Sequence, residues 1–168
     1  LMCSLSILFC YKVGLFNIGA AGQYVAGSCA CLYAALKWGW GWFPCVLLAI
    51  AVSAFFGLVV GLLKAYCNVN EVISGIMLNW IGLYTTNMLL SQVKEEASPY
   101  TMYLSSTNPT AILPTLGLDA LFGKGNKVTI AIPIAIVLAI LIMIILNMTK
   151  LGFELKATGL NKNAAKYA

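Results

Sequence analysis

The chain has no arginine and no histidine, and only five of its 168 residues are acidic. Without His there is no imidazole base, no imidazole metal ligand and no HExxH zinc site. Charged residues make up 9% of the sequence, against about 25% in a soluble domain. So few charges cannot cover a water-exposed surface. Hydrophobic residues make up 61% and mean hydropathy is +0.92, so an integral membrane protein is expected. The six cysteines, Cys3, Cys10, Cys29, Cys31, Cys45 and Cys67, form no C-x-x-C, and most lie in apolar runs. They read as small, reduced core residues rather than as a metal or redox centre. The net charge of +5 comes from lysines scattered at segment ends. That spread points to membrane orientation and away from nucleic acid. A nucleotide site is also missing: Gly123-Lys124-Gly125-Asn126-Lys127-Val128-Thr129 lacks the GxxxxGK[ST] spacing. No cofactor, metal or catalytic residue is expected.

What is present is apolar and segmented. Five stretches are expected to span or enter the bilayer, at about residues 1–15, 22–37, 45–64, 71–91 and 128–147. The last three approach the ~20 residues that a bilayer requires. The first has no basic segment before it and no cleavage-type site after it, so it is not read as a signal peptide. The chain opens inside one apolar stretch and closes inside a helix-like one, so a piece of a longer protein is expected. Between the second and third stretches Lys37-Trp38-Gly39-Trp40-Gly41-Trp42-Phe43-Pro44 reads as a turn at the membrane interface, where indoles prefer to sit. Asn70 is placed to cap the fourth helix, with Glu71 at its positive end. The segment 92–126 carries Pro99, Pro109 and Pro114 with Glu95, Glu96 and Asp119, and suits an external loop. Lys12, Lys64, Lys150, Lys156, Lys162 and Lys166 then lie inside, and Lys37, Lys94, Lys124 and Lys127 outside.

The most informative feature is Phe16-Asn17-Ile18-Gly19-Ala20-Ala21-Gly22-Gln23, set between two apolar stretches. Non-helical backbone at membrane depth is tolerated only where protein buries it or where it lines a cavity. The expected fold is therefore an all-α integral membrane bundle of several spans, with a broken helix near residues 16–23. Small residues recur every fourth position at Gly22, Ala26, Ala30 and Ala34, and again at Ala49, Ser53, Gly57 and Gly61. Such ladders let helix backbones approach closely in lipid, and both are expected to face other helices. Gly75, Asn79, Gly82 and Thr86 share one helix face. Asn17, Gln23, Asn79 and Trp80 are the candidates for a substrate pathway. The plainer reading is that Asn17 and Gln23 satisfy backbone groups freed by the break, and that Asn79 makes an interhelical hydrogen bond.

After Leu146 the character changes. Gly159 is placed to end a short helix and Asn161 to cap the next. An amphipathic pair of helices outside the membrane suggests a docking element; an ordinary solvated loop is the plainer reading.

Three segments carry a resemblance: Gly14 to Gln23, Asn70-Glu71-Val72-Ile73-Ser74-Gly75-Ile76-Met77-Leu78-Asn79-Trp80, and Glu154 to Ala168. In this order, over nearly the whole chain, they resemble the permease subunits of ABC importers. The nearest group is the branched-chain amino acid and simple-sugar permease family, particularly its nucleoside-type members. The chain departs from that pattern at Ala21, where Glu is usual, and at Lys166, where Arg is common. The resemblance implies a permease subunit of an ATP-driven importer in a prokaryotic cytoplasmic membrane. It would move a small polar solute, a nucleoside or a simple sugar, by alternating access. It also implies a cytoplasmic ATP-binding subunit, a second permease subunit and an extracytoplasmic substrate-binding lipoprotein as partners. The segment 150–168 would be a cytoplasmic coupling element, with Glu154, Ala157, Gly159, Asn161, Ala164 and Ala165 against the ATPase. A secondary transporter is the alternative. Such proteins couple through intramembrane ionisable groups, and none is evident in the apolar stretches. A membrane enzyme would need a nucleophile–base pair that the sequence does not display.

Overall fold

The computed structural model describes residues 2–95, 100–115 and 129–161. These form helices α1 (Met2–Lys12), α2 (Ala20–Lys37), α3 (Trp42–Cys67), α4 (Glu71–Leu90), α5 (Leu104–Thr107), α6 (Ala131–Met148) and α7 (Lys150–Leu160), with short 3-10 turns at Ser91–Val93 and Pro109–Ala111. The described residues contain no strand, only an isolated bridge between Lys94 and Thr101. On length and composition α3 and α6 could each cross a membrane. Helices α2 and α4 are as long as α6 or longer, but dilute their apolar residues with Gly, Ser, Gln, Asn and Thr. The chain divides into two compact units, residues 18–113 and residues 1–17 with 114–168.

Helix boundaries follow local chemistry. Helix α3 extends beyond the expected 45–64 at both ends. Pro44 sits in its first turn, where a missing N–H costs nothing. The helix closes at Asn68, which adopts a left-handed conformation (φ 51°) that Asn tolerates and sends its N–H to the Leu63 carbonyl. Two residues later the Asn70 side chain accepts the Val72 N–H at 2.9 Å and starts α4. A Lys64–Glu71 ion pair at 2.7 Å closes the turn.

In the first unit α2 is the central helix, packed on α3 and α4. It runs antiparallel to α3. A Cβ on Gly27 would strike the Ser53 hydroxyl and lie 3.0 Å from the Ala49 carbonyl, while one on Gly57 would lie 3.3 Å from the Gln23 amide. Ser53 donates to the Gln23 carbonyl at 2.8 Å. Gly61, expected to share this contact, meets nothing within 4 Å among the described residues. The reason is register: Gly57 already faces the first turn of α2, so one turn further on α3 has passed the end of its partner. At the other end of α2, Asn108 is 7% exposed. It donates to the carbonyls of Ala35 (3.0 Å) and Trp40 (2.9 Å) and accepts from Thr110 at 2.5 Å. It thereby satisfies a carbonyl that the helix end leaves open. Ala34, Ala35 and Cys45 form the buried core beneath it.

In the second unit α6 turns sharply into α7. Thr149 accepts the Gly152 N–H at 3.1 Å and donates to the Ile145 carbonyl at 2.6 Å. Gly152 is buried against α6, where a Cβ would lie 2.6 Å from the Leu146 carbonyl. Lys156 adds a 2.7 Å hydrogen bond to Asn147. Helix α1 packs on α6.

A large residue at Gly27 forces α2 and α3 apart, whereas one at Gly61 extends into open space. Gly27→Leu is expected to lower stability by about 1–3 kcal/mol, and Gly61→Leu to leave it nearly unchanged. Thermal midpoints of the two purified variants in detergent, with their yields of monodisperse protein, check the contrast.

Candidate functional site

The chain leaves helix after Lys12 and re-enters it at Ala20, so the non-helical segment is 13–19 rather than 16–23. Gln23 consequently lies in the first turn of α2, where its N–H already bonds the Gly19 carbonyl at 3.0 Å. Helix starts earlier than expected because Ala20 and Ala21 favour it. No side chain caps the N-terminus locally. The cap comes instead from α4. Asn79 accepts the Gly22 N–H at 2.8 Å and donates to the Ile18 carbonyl at 3.0 Å. One amide thus satisfies a free N–H of the first helical turn and a carbonyl of the connection before it.

This bond pair requires α4 to lie against α2, and glycine permits it. A Cβ on Gly22 would lie 2.6 Å from Asn79 Oδ1 and 2.8 Å from Asn79 Cα. One on Gly75 would lie 2.9 Å from the Gly19 nitrogen, and one on Gly82 would lie 3.4 Å from the Gly22 carbonyl and from the Phe56 ring. Thr86, last of the same face, lies beside the Cys29 side chain. The two helices therefore run parallel, in contact over the whole Gly75–Thr86 face.

A groove of about 330 Å³ opens between them, lined by Ala21, Gly22 and Val25 of α2 and Ile76, Asn79, Trp80 and Leu83 of α4. Trp80 is 55% exposed and stacks on Tyr84, with ring centroids 5.9 Å apart and planes at 24°. The groove holds no titratable side chain, and the described residues contain no cluster of three or more potential metal ligands. Its lining is apolar apart from the Asn79 amide and the Trp80 indole, and offers no acid, base or nucleophile.

The four pathway candidates have different neighbours. Asn79 and Trp80 share the groove. Gln23 faces α3, with its side chain beside Gly57. The Asn17 amide donates to Ser6 of α1 at 3.0 Å. Among the coupling candidates, Glu154 and Asn161 are exposed, Ala157 is half-buried, and Ala164 and Ala165 lie outside the described residues. Gly159 does not end a helix as expected. It lies within α7, which stops one residue later with Asn161 as its C-terminal cap. Its lack of a side chain serves a close approach to Val13 and Gly14 instead. Sequence reasoning passed over Ser53 as a hydrogen-bond donor, although its place in the small-residue ladder was visible. It also passed over Asn108, whose Asn-Pro setting signals only a turn.

Comparison with known proteins supplies the context. The family model described as branched-chain amino acid transport system / permease component matches residues 1–168. The chain is 31% identical over 172 residues to the guanosine ABC transporter permease protein NupP of Bacillus subtilis, covering 100% of this chain and 48% of that one. It is 32% identical over 184 residues to the nucleoside ABC transporter permease protein NupB of Lactococcus lactis, with the same coverage. The glucose ABC transporter permease protein TsgB13 of Haloferax volcanii is 26% identical over 178 residues, covering 100% of this chain and 46% of its own length. The chain thus spans about half the length of these curated relatives. No solved structure matches it significantly.

Asn79 and Trp80 should separate under mutation. Asn79→Leu keeps the branching at Cγ but strands the Gly22 N–H and the Ile18 carbonyl, and is expected to cost about 2 kcal/mol. Trp80→Leu strands no polar group and should cost clearly less. Thermal inactivation of the two variants, measured side by side, checks the order.

Proposed function

Because the chain belongs to the branched-chain amino acid transport system / permease component family, we propose that it forms part of the membrane permease of an ATP-driven importer. The solute is a nucleoside, with simple sugars the second choice, and it crosses by alternating access. The nucleoside assignment follows the relatives named for guanosine and nucleosides, which are more similar to this chain than the one named for glucose. The partners are an ATP-binding subunit, a second permease subunit and an extracytoplasmic substrate-binding lipoprotein. The location is a prokaryotic cytoplasmic membrane, with the spans and the outer loop 92–126 arranged as the lysine pattern predicts.

One observation carries the energy-coupling part of this reading. Helix α7 follows a helix apolar enough to span, yet it turns large apolar side chains outward: Phe153 and Leu160, seven residues apart on one face, are 74% and 89% exposed, and Leu151 on the opposite side is 62% exposed. An exposed apolar pair of this kind marks a contact surface, which we read as the one that meets the ATPase. The broken continuity of α7 with α6, fixed by Thr149 and Gly152, makes it a short lever on the span. Nucleotide-driven closure of the ATPase would displace α7 and bias the permease between its two access states, provided the partner binds those states with different affinity. In the pathway, Trp80 supplies a broad face beside the α2–α4 groove, while Asn79 holds the backbone that shapes it. Asn17, within the α1–α2 connection, and Gln23, in the first turn of α2, complete the proposed pathway set.

Reconstitution of the whole permease with its ATPase in proteoliposomes tests the class. Guanosine uptake is expected only with internal or external ATP supplied to the ATPase face, and not with an ion gradient alone. Gradient-driven uptake without ATP would establish the secondary-transporter alternative. Phe153→Asp is expected to reduce co-purification of the ATPase subunit about tenfold or more, as for an anchor residue at an interface. A pull-down with quantified ATPase recovery checks it.

A further inference from the structure

We propose that Gly14 and Gly159 are positioning residues for coupled transport. Their interlocked backbones tie α7 to the turn after α1 as well as to α6, so that displacement of α7 moves that turn with it. The proposal rests on reading α7 as the element that meets the ATPase.

The contact is backbone on backbone. A Cβ on Gly14 would lie 2.6 Å from the Gly159 carbonyl oxygen and 2.7 Å from Gly159 Cα. Reciprocally, a Cβ on Gly159 would strike the Val13 carbonyl and lie 2.8 Å from the Gly14 nitrogen. Gly14 also has φ +79°, which other residues rarely adopt. Gly159 has no such need, and it is not a helix stop, since α7 continues to Leu160. The approach to Val13 and Gly14 is therefore what its missing side chain permits.

Helix α7 is thus held at both ends, to α6 through Thr149 and Gly152 and to the post-α1 turn through Gly159. That turn is tied in its own right. The Leu15 N–H bonds the Cys10 carbonyl at 2.9 Å, and the Asn17 side chain bonds Ser6. The turn is therefore fixed to α1 within its own unit, so movement of α7 at Gly159 reaches α1 rather than being absorbed in the turn.

The test uses the whole permease with its ATPase in proteoliposomes. Gly159→Ala is expected to keep the ATPase bound and hydrolysing, while uptake per ATP falls about fivefold or more. A merely structural role would lower binding, hydrolysis and uptake together. Thr158→Ala, which loses only a hydrogen bond to the Glu154 carbonyl, should leave the ratio unchanged. Normal uptake per ATP in Gly159→Ala overturns the proposal. If that variant fails to assemble, spin labels replacing exposed Tyr11 and Leu160 in the otherwise native protein decide. Their separation should be the same without nucleotide and with ATP bound, and a separation that changes between the two states overturns the proposal. Phe153→Asp keeps the underlying reading distinct. Full ATPase retention there refutes the docking role of α7, whereas ATPase loss with a changing label distance refutes only the Gly14–Gly159 contact.

Discussion

The amide of Asn79 is the bond on which the α2–α4 pair depends. A bilayer supplies no water to backbone groups, so a chain that leaves helix must find protein partners for them. Here a single side chain accepts from Gly22 and donates to Ile18. To reach both, the α4 backbone must come nearly into contact with the α2 backbone. Gly22 and Gly75 remove the side chains that would prevent it. With one face of α2 committed to α4, its other face must meet α3, and Gly27 and Ser53 make that contact equally close. Interhelical hydrogen bonds in membranes are individually modest, averaging about 0.6 kcal/mol. Their value here lies in geometry: they fix which glycine faces which neighbour.

Much of this was legible in the sequence, and for identifiable reasons. The Asn70 cap is a local effect, written in the residue types themselves. The Gly75–Thr86 face follows from helical periodicity alone, and so does the ladder from Ala49 to Gly57. What periodicity cannot supply is register between helices. Gly61 belongs to the same ladder but lies beyond the first turn of α2, so its vacancy depends on where α2 starts. Likewise Asn79 is visibly polar on a small-residue face, but nothing in its neighbourhood says that it bonds backbone 57 to 61 positions away. Gly159 misled for the same reason. Glycine near a helix end usually stops the helix, and only a distant partner, Gly14, reveals the other use of a missing side chain.

The polar groups of the described helices are thus largely engaged in holding backbone. Asn108 closes the α2 terminus, Thr149 the α6–α7 corner, and Asn79 the α1–α2 connection. This bears on how energy enters the proposed transport cycle. The acidic residues of the described helices are Glu71, paired with Lys64 where α4 begins, and exposed Glu154 on α7. Neither lines the groove beside Trp80. In the proposed cycle the drive is displacement of α7 by the ATPase. Displacement is transmitted only where parts are stiff, because a packed contact has discrete arrangements while a loose loop absorbs strain. Glycine sets the closest of these packed contacts: Gly27 against Ser53 and Ala49 at the α2–α3 crossing, Gly75 against Gly19 at the α2–α4 crossing, Gly152 against α6, and Gly159 against Val13 and Gly14. At each of them an added Cβ would strike the neighbour, so the seating of each element on its partner depends on a missing side chain.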